Sequence, residues 1–301
     1  MRTYLTSMST DLRGARLWIA GARPRTLPAA IVPVIVGTAV VAPDHFVAWR
    51  FAAALIVALA LQVATNYAND YSDGIRGTDD SRIGPMRLVG SGAAAPAAVK
   101  RAVVISFGVA GVAGLALAIA VSPWLLVVGA ASIAAGWFYT GGSNPYGYLG
   151  LGEVFVFVFF GLVATIGSAF VHTETVSGLA SALAIAVGLF ATALLVVNNL
   201  RDRRGDAAAG KRTLAVRIGD RATRMIYISM MVGAFLVIAV SVLAGDRPWG
   251  LLALVALPSA IPGVEAVRSG AEGRTLIGVL EVTGRTQLLV GVLLSIGLLI
   301  G

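Results

Sequence analysis

Nine apolar runs divide the chain, at 27–42, 48–69, 100–120, 123–140, 153–171, 178–198, 223–244, 249–267 and 284–300. Most reach the roughly 20 residues a helix needs to cross a bilayer; the first and last are shorter. With 57% hydrophobic and 13% charged residues, the chain groups with polytopic membrane proteins and not with soluble domains. The expected fold is all-α and integral to the membrane, with nine transmembrane helices. Pro28 and Pro33 in the first run, and Pro258 and Pro262 in the eighth, predict kinks. Residues 1–26 are polar and Arg-rich and read as a cytoplasmic N-terminal segment without a signal peptide. A single membrane domain, 27–301, follows, with polar motif loops at about 69–99 and 199–222.

Charge sets the orientation. Of the 23 Lys and Arg residues, all but Arg50 and Arg247 lie in the N-terminal segment or after the second, sixth and eighth runs, on one side of the membrane. The positive-inside rule makes that side cytoplasmic, with the N-terminus inside and the C-terminus outside. The net charge of +8 therefore reflects topology and contact with anionic headgroups, not nucleic-acid binding. Zero cysteines exclude disulfides and thiolate chemistry. The two histidines, His45 and His172, are too few for an imidazole metal centre and read as surface residues on the external side. Heavy use of Arg, Ala and Gly points to a GC-rich bacterial source.

Against this apolar background two acidic clusters stand out. The first is Asn66-Tyr67-Ala68-Asn69-Asp70-Tyr71-Ser72-Asp73, and the second runs from Asn198 to Asp206. Helical spacing puts Gln62, Asn66, Asp70 and Asp73 on one face, and Asn198, Asp202 and Asp206 on another. One aspartate at a span end is usually a cap, but a four-residue polar stripe entering the membrane usually lines a cavity. Paired carboxylates offer the hard oxygen ligands Mg²⁺ takes when it binds phosphates. Both clusters face the cytoplasm, after the second and sixth runs, which suggests two four-helix repeats plus a ninth helix.

The segments beside the clusters fit a polyanionic ligand. Residues 74–92 mix Gly with Arg76, Arg82 and Arg87, and Lys211 and Arg212 follow the second cluster. Alone, each reads as an ordinary basic loop. Next to an acidic stripe, diphosphate contact is the better reading. Gly205-xxxx-Gly210-Lys211 imitates a nucleotide-binding loop, but Arg212 replaces the Ser/Thr and a membrane helix replaces the strand, so ATPase chemistry is rejected. Residues 137–153, including Tyr139, carry several aromatics, one acid and no basic residue. An interfacial belt would look similar, yet the same composition suits a site where a carbocation forms.

The paired motifs resemble those of the UbiA superfamily of membrane prenyltransferases over nearly the whole chain. The supporting segments are Asn66-x-x-Asn69-Asp70-x-x-Asp73, and Asn198-x-x-x-Asp202-x-x-x-Asp206 followed by Gly210-Lys211-Arg212-Thr213. Ala22-Arg23-Pro24-Arg25, Tyr139-Thr140-Gly141-Gly142 and Pro145-Tyr146-Gly147-Tyr148 are similar to the menaquinone-pathway branch, which prenylates 1,4-dihydroxy-2-naphthoate. The resemblance implies a helical horseshoe around a central cavity open to lipid. It implies Mg²⁺ on Asp70, Asp73, Asp202 and Asp206, with Asn66 and Asn198 as further ligands, bridging to a polyprenyl diphosphate. Many members carry another Asp where this chain has Gly77, a place Asp79 or Asp80 could fill. Arg23 or Arg25 would pair with the acceptor carboxylate, with Gln62 and Tyr139 beside the acceptor or carbocation. Other acceptors (hydroxybenzoate, homogentisate, haem, a sugar phosphate) and a secondary transporter are the alternatives. Transport is disfavoured because the acids sit at helix ends and not at the midplane.

Overall fold

The apolar runs are rich in Ala, Leu and Val, with proline mostly at their starts, and all nine are helical. The computed structural model describes residues 14–78 and 86–301, and no strand occurs among them. Asp79, Asp80 and Arg82 lie outside the described residues. In chain order the helices are α1 (Ala15–Ala22), α2 (Pro28–His45), α3 (Ala48–Ile75), α4 (Pro96–Ala120) and α5 (Trp124–Phe138). Then come α6 (Gly152–Val156) and α7 (Ala164–Thr173), joined by a π-helical stretch, Phe157–Val163. Next are α8 (Gly178–Ala208), α9 (Leu214–Ala244), α10 (Leu257–Arg268), entered through a 3-10 segment at Pro248–Ala256, and α11 (Thr275–Ile300).

Among the described residues, 7 helical segments are long and apolar enough to cross a membrane. The bent pair Ala15–Thr26 and Pro28–Ala42, at 56°, makes 8 if taken as one span. The shortfall from nine lies at α5. Its 15 residues reach only about 22 Å, because the Gly141-Gly142 turn follows directly. Pro28 starts α2 at the bend, while Pro33 sits inside α2 without dividing it. Pro258 falls where 3-10 geometry gives way to α10, which contains Pro262.

Four boundaries differ from the sequence reading. The expected N-terminal polar segment contains α1, whose Trp18 meets Tyr67 edge-on at 5.9 Å while the Tyr67 hydroxyl donates to the Trp18 carbonyl at 2.8 Å. The motif segments, expected as loops from 69 and from 199, are helical to Ile75 and Ala208. α9 starts at Leu214, nine positions before its apolar run, and absorbs a break at Gly219 (φ 81°). In each case polar side chains find tertiary partners, so the backbone stays helical beyond the apolar stretch. His172 is also buried, not at the surface. Its Nδ1 accepts from the Val47 amide at 3.2 Å, and Phe46 stacks on its ring.

Packing sets α3 against α4 and α8 against α9, with α2 touching α3, α7, α8 and α11. The larger core joins α2 and α8 through α11, with Phe190 edge-on to Phe235 at 5.3 Å. Small residues permit the closest approaches, as expected where lipid gives helices no hydrophobic drive to associate. A Cβ on Gly161 would lie 2.4 Å from the Gly188 Cα, and one on Gly37 would lie 2.1 Å from the Thr165 carbonyl oxygen.

Candidate active site

The motif-bearing ends of α3 and α8 meet at Asp73 and Lys211. Asp73 lies in the last turns of α3 and is 3% exposed. Its Oδ1 accepts from Lys211 Nζ at 3.1 Å and from the Tyr148 hydroxyl at 2.5 Å, and Arg87 lies 3.8 Å from its Oδ2. Lys211 Nζ is also 4.0 Å from Asp206 Oδ1 and 4.7 Å from the centre of the Tyr148 ring. One ammonium thus stands between carboxylates of the two clusters, under an aromatic face. The burial of so many charges is affordable only because they face one another.

Asp202 lies one helical turn inward from Asp206 on α8 and pairs through both oxygens with Arg201, at 2.7 Å each. The same guanidinium donates to Asn198 Oδ1 at 2.7 Å. A cavity of about 290 Å³ opens beside Asp202, Asp206 and Lys211 and continues past Arg203 toward Arg224.

Other expected site residues go elsewhere. Asp70 is fully buried, and its carboxylate accepts from the Leu88 and Val89 amides at 2.8 and 2.9 Å. It therefore holds the loop that carries Arg87, each oxygen accepting from one amide. Asn66 donates to the Ala22 carbonyl at 2.9 Å and to Thr26 Oγ1 at 3.0 Å, and Gln62 donates to the same hydroxyl at 3.2 Å. Both amides fasten the turn between α1 and α2. Arg76 donates to the Thr140 and Gly142 carbonyls, tying α3 to the segment after α5. Arg212 is exposed, and its backbone amide donates to the Tyr148 carbonyl at 2.9 Å. Arg25 pairs with Glu281 at 2.7 Å, whereas Arg23 keeps a buried Nη2 without a hydrogen-bond partner. Tyr139 meets Tyr146 edge-on at 5.5 Å.

Several contributors are not among the residues expected at the site. Tyr148 orients Asp73, and burial, helped by the Asp73 charge, pushes its hydroxyl well above the ordinary tyrosine range, so it stays a donor. Asn69 accepts from the Thr140 hydroxyl at 2.9 Å, and Arg201 neutralises Asp202. Asn199 donates to Glu153 at 2.9 Å. In α11, Gln287 is fully buried with both amide atoms unpartnered. The aromatic richness of residues 137–153 was the available hint for Tyr148. The rest depend on contacts between segments far apart in sequence.

Among the described residues, no three carboxylate or imidazole groups converge as a metal cage. Mg²⁺ does not need one, since it binds through one or two carboxylates and completes its octahedron with water and phosphate. Asp73 and Asp206 already flank a cation, the Lys211 ammonium, so this donor set fits a divalent ion.

An all-helical membrane protein whose two polar motifs close on one buried ion cluster has the build of an intramembrane enzyme for substrates with an anionic head. The chain belongs to the UbiA prenyltransferase family, whose model matches residues 30–271. It is 51% identical to the 1,4-dihydroxy-2-naphthoate octaprenyltransferase of Mycobacterium tuberculosis, over 90% of this chain and 92% of that one. It is 36% identical to the Escherichia coli protein of the same name, over 93% and 94%. A solved UbiA homolog from Archaeoglobus fulgidus, bound to GPP and Mg²⁺, shares the fold with a TM-score of 0.64, 12% identity, and coverage of 93% of this chain and 99% of that one.

Proposed function

We propose that the protein transfers a polyprenyl group from its diphosphate to 1,4-dihydroxy-2-naphthoate, with loss of CO₂ and diphosphate, giving demethylmenaquinol, the reduced form of demethylmenaquinone. The observation that carries this reading is the pair Asp73 and Asp206, one from each motif, set around a single cation with Arg87 alongside. The relatives' shared name supports the acceptor. Asp73 and Asp206 would hold Mg²⁺, with Asp202 and Asn198 bordering it, and the metal would neutralise charge developing on the departing diphosphate.

The chain's own residues supply the remainder. Lys211 and Arg87 bind phosphate oxygens, and Tyr148 keeps Asp73 aimed at the centre. From Tyr139 a row of rings runs through Tyr146 to Phe155, stacked at 3.9 Å, and on to Phe159 at 6.0 Å. Its faces stabilise an allylic cation and exclude water. Arg23, with an unpartnered buried nitrogen, is better placed than Arg25 to take the acceptor carboxylate. Asp70, Gln62, Asn66 and Arg76 position the surrounding loops, and Arg212 lies at the rim.

In this reading all nine runs cross the membrane, α5 as a short span, in two four-helix repeats plus α11. They form a horseshoe around a central cavity open laterally to lipid. The protein sits in the bacterial plasma membrane with its active site toward the cytoplasm. The test is purified protein in vesicles with geranylgeranyl diphosphate, Mg²⁺ and dihydroxynaphthoate. Demethylmenaquinol, recovered as demethylmenaquinone after oxidation in air, is the expected product. A product from 4-hydroxybenzoate, and none from dihydroxynaphthoate, rejects the acceptor.

A further inference from the structure

Glu153 is the first acidic residue after the aromatic loop and stands in the first turn of α6. It is 6% exposed, Oε1 accepts from Asn199 Nδ2 at 2.9 Å, and Oε2 has no hydrogen-bond partner. An unmet carboxylate oxygen inside a membrane protein is costly, and such groups usually serve a function. Asn199 stands in the second motif on α8, three positions before Asp202, so Glu153 is tied directly to the helix that carries that motif. On its other side is Tyr139: a Cβ on Gly152 would meet the Tyr139 hydroxyl at 3.4 Å, and one on Gly147, beside the Tyr148 that donates to Asp73, would meet the Tyr139 ring at 3.0 Å. Glu153 therefore stands across one tyrosine ring from the ion cluster. Phe155, in the same short helix, belongs to the row of rings, and the π-helical stretch that follows is a form enriched at functional sites.

We propose that Glu153 is the catalytic base that takes the proton from the ring hydroxyl of the aromatic acceptor. This rests on the acceptor reading above. The O–H bond breaks and the proton goes to Oε2, while the oxygen pair pushes into the ring. The carboxylate-bearing carbon bonds to the allylic carbon as the C–O bond to diphosphate breaks, its electron pair leaving with the diphosphate. The ring's bond to the carboxylate then breaks, CO₂ departs, and that pair restores the aromatic ring. The resulting ring oxyanion takes its proton back from Glu153. The proton is borrowed and returned, so no oxidant or co-reactant is needed.

The test uses the full chain in vesicles, comparing wild type with E153Q and E153D. Glutamine can still accept from Asn199 but cannot take a proton. E153Q should lower kcat by about 10²-fold or more, the usual share of a general base, with KM for geranylgeranyl diphosphate unchanged. The loss should shrink with acceptors whose ring hydroxyl is more acidic, a trend that a purely structural defect would not produce. E153D, which keeps a carboxylate, should show the wild-type dependence on acceptor acidity at a reduced rate. Wild-type kcat in E153Q, or an equal loss across all acceptors, overturns the proposal. Should E153Q fail to fold, E153D losing its acidity dependence would do the same. Failure of the wild type to prenylate dihydroxynaphthoate would instead overturn the acceptor reading.

Discussion

Lys211 carries more of the site than any one aspartate, because its ammonium balances Asp73 and Asp206 from opposite halves of the chain. Removing one member of a buried, hydrogen-bonded charge set typically costs about 2–5 kcal/mol, largely from the charge left behind. K211M should therefore raise KM for prenyl diphosphate by about 10-fold or more, with K211R intermediate; steady-state kinetics in vesicles would check it. Asp70 differs in kind. D70A leaves the Leu88 and Val89 amides unsatisfied at about 1–3 kcal/mol each, so hydrogen exchange at residues 86–94 should rise sharply. No such rise would refute the anchoring role. Tyr148 gives a pH test. Its raised folded-state value means that its hydroxyl stabilises the fold fully below the ordinary tyrosine range and loses that contribution as pH climbs through the folded-state value. The gap in unfolding temperature between wild type and Y148F should thus stay constant from about pH 7 to 9 and narrow only in stronger alkali. The sequence could show that Asp70 and Asp73 share a helical face. It could not show that one turns to amides 18 and 19 positions ahead and the other to a lysine 138 positions away, because both choices satisfy the same spacing.

At the level of elements, hydrophobicity alone was enough to mark the helical runs, since a membrane helix must be apolar throughout its core-spanning length. Among the described residues, however, 7 segments, or 8 with the bent pair, are long and apolar enough to span. Hydropathy did not reveal α1, too short to register, or the polar extensions of α3, α8 and α9, whose helicity depends on side-chain partners beyond the membrane. Nor did it reveal the π-helical stretch at Phe157–Val163, which depends on how that segment meets α8. Gly161 and Gly188 touch there backbone to backbone, so neither helix can yield to a methyl group by moving a side chain. G161A should therefore destabilise the protein by about 1–3 kcal/mol, as overpacking does, visible as a lower unfolding temperature in detergent. G167A, at a position where a Cβ meets nothing within 4 Å, is the control and should leave that temperature unchanged.

For the molecule as a whole, the distribution of charge does two jobs. Basic residues after the second, sixth and eighth runs would set the orientation under the positive-inside rule, and a few of them, Arg87, Arg201 and Lys211, are drawn inward to neutralise the motif carboxylates. Topology and active site are thereby linked. If the basic side is cytoplasmic, the diphosphate head must be met there and the prenyl tail must lie among the helices, in lipid. Zero native cysteines make the orientation directly testable, since single cysteines can be placed on a background that carries none. Thr175 is exposed between α7 and α8, and Ser143 and Ser269 are exposed at the opposite ends of the spans. T175C should react with a membrane-impermeant maleimide in intact cells, whereas S143C and S269C should react only after permeabilisation. S143C is the discriminating position, because the loop after α5 contains no basic residue and its side depends on α5 crossing in only 15 residues. Labelling of S143C from outside would mean that α5 does not cross. The Tyr148–Asp73 bond, which needs that loop on the same face as both motifs, would then have no place in the folded protein.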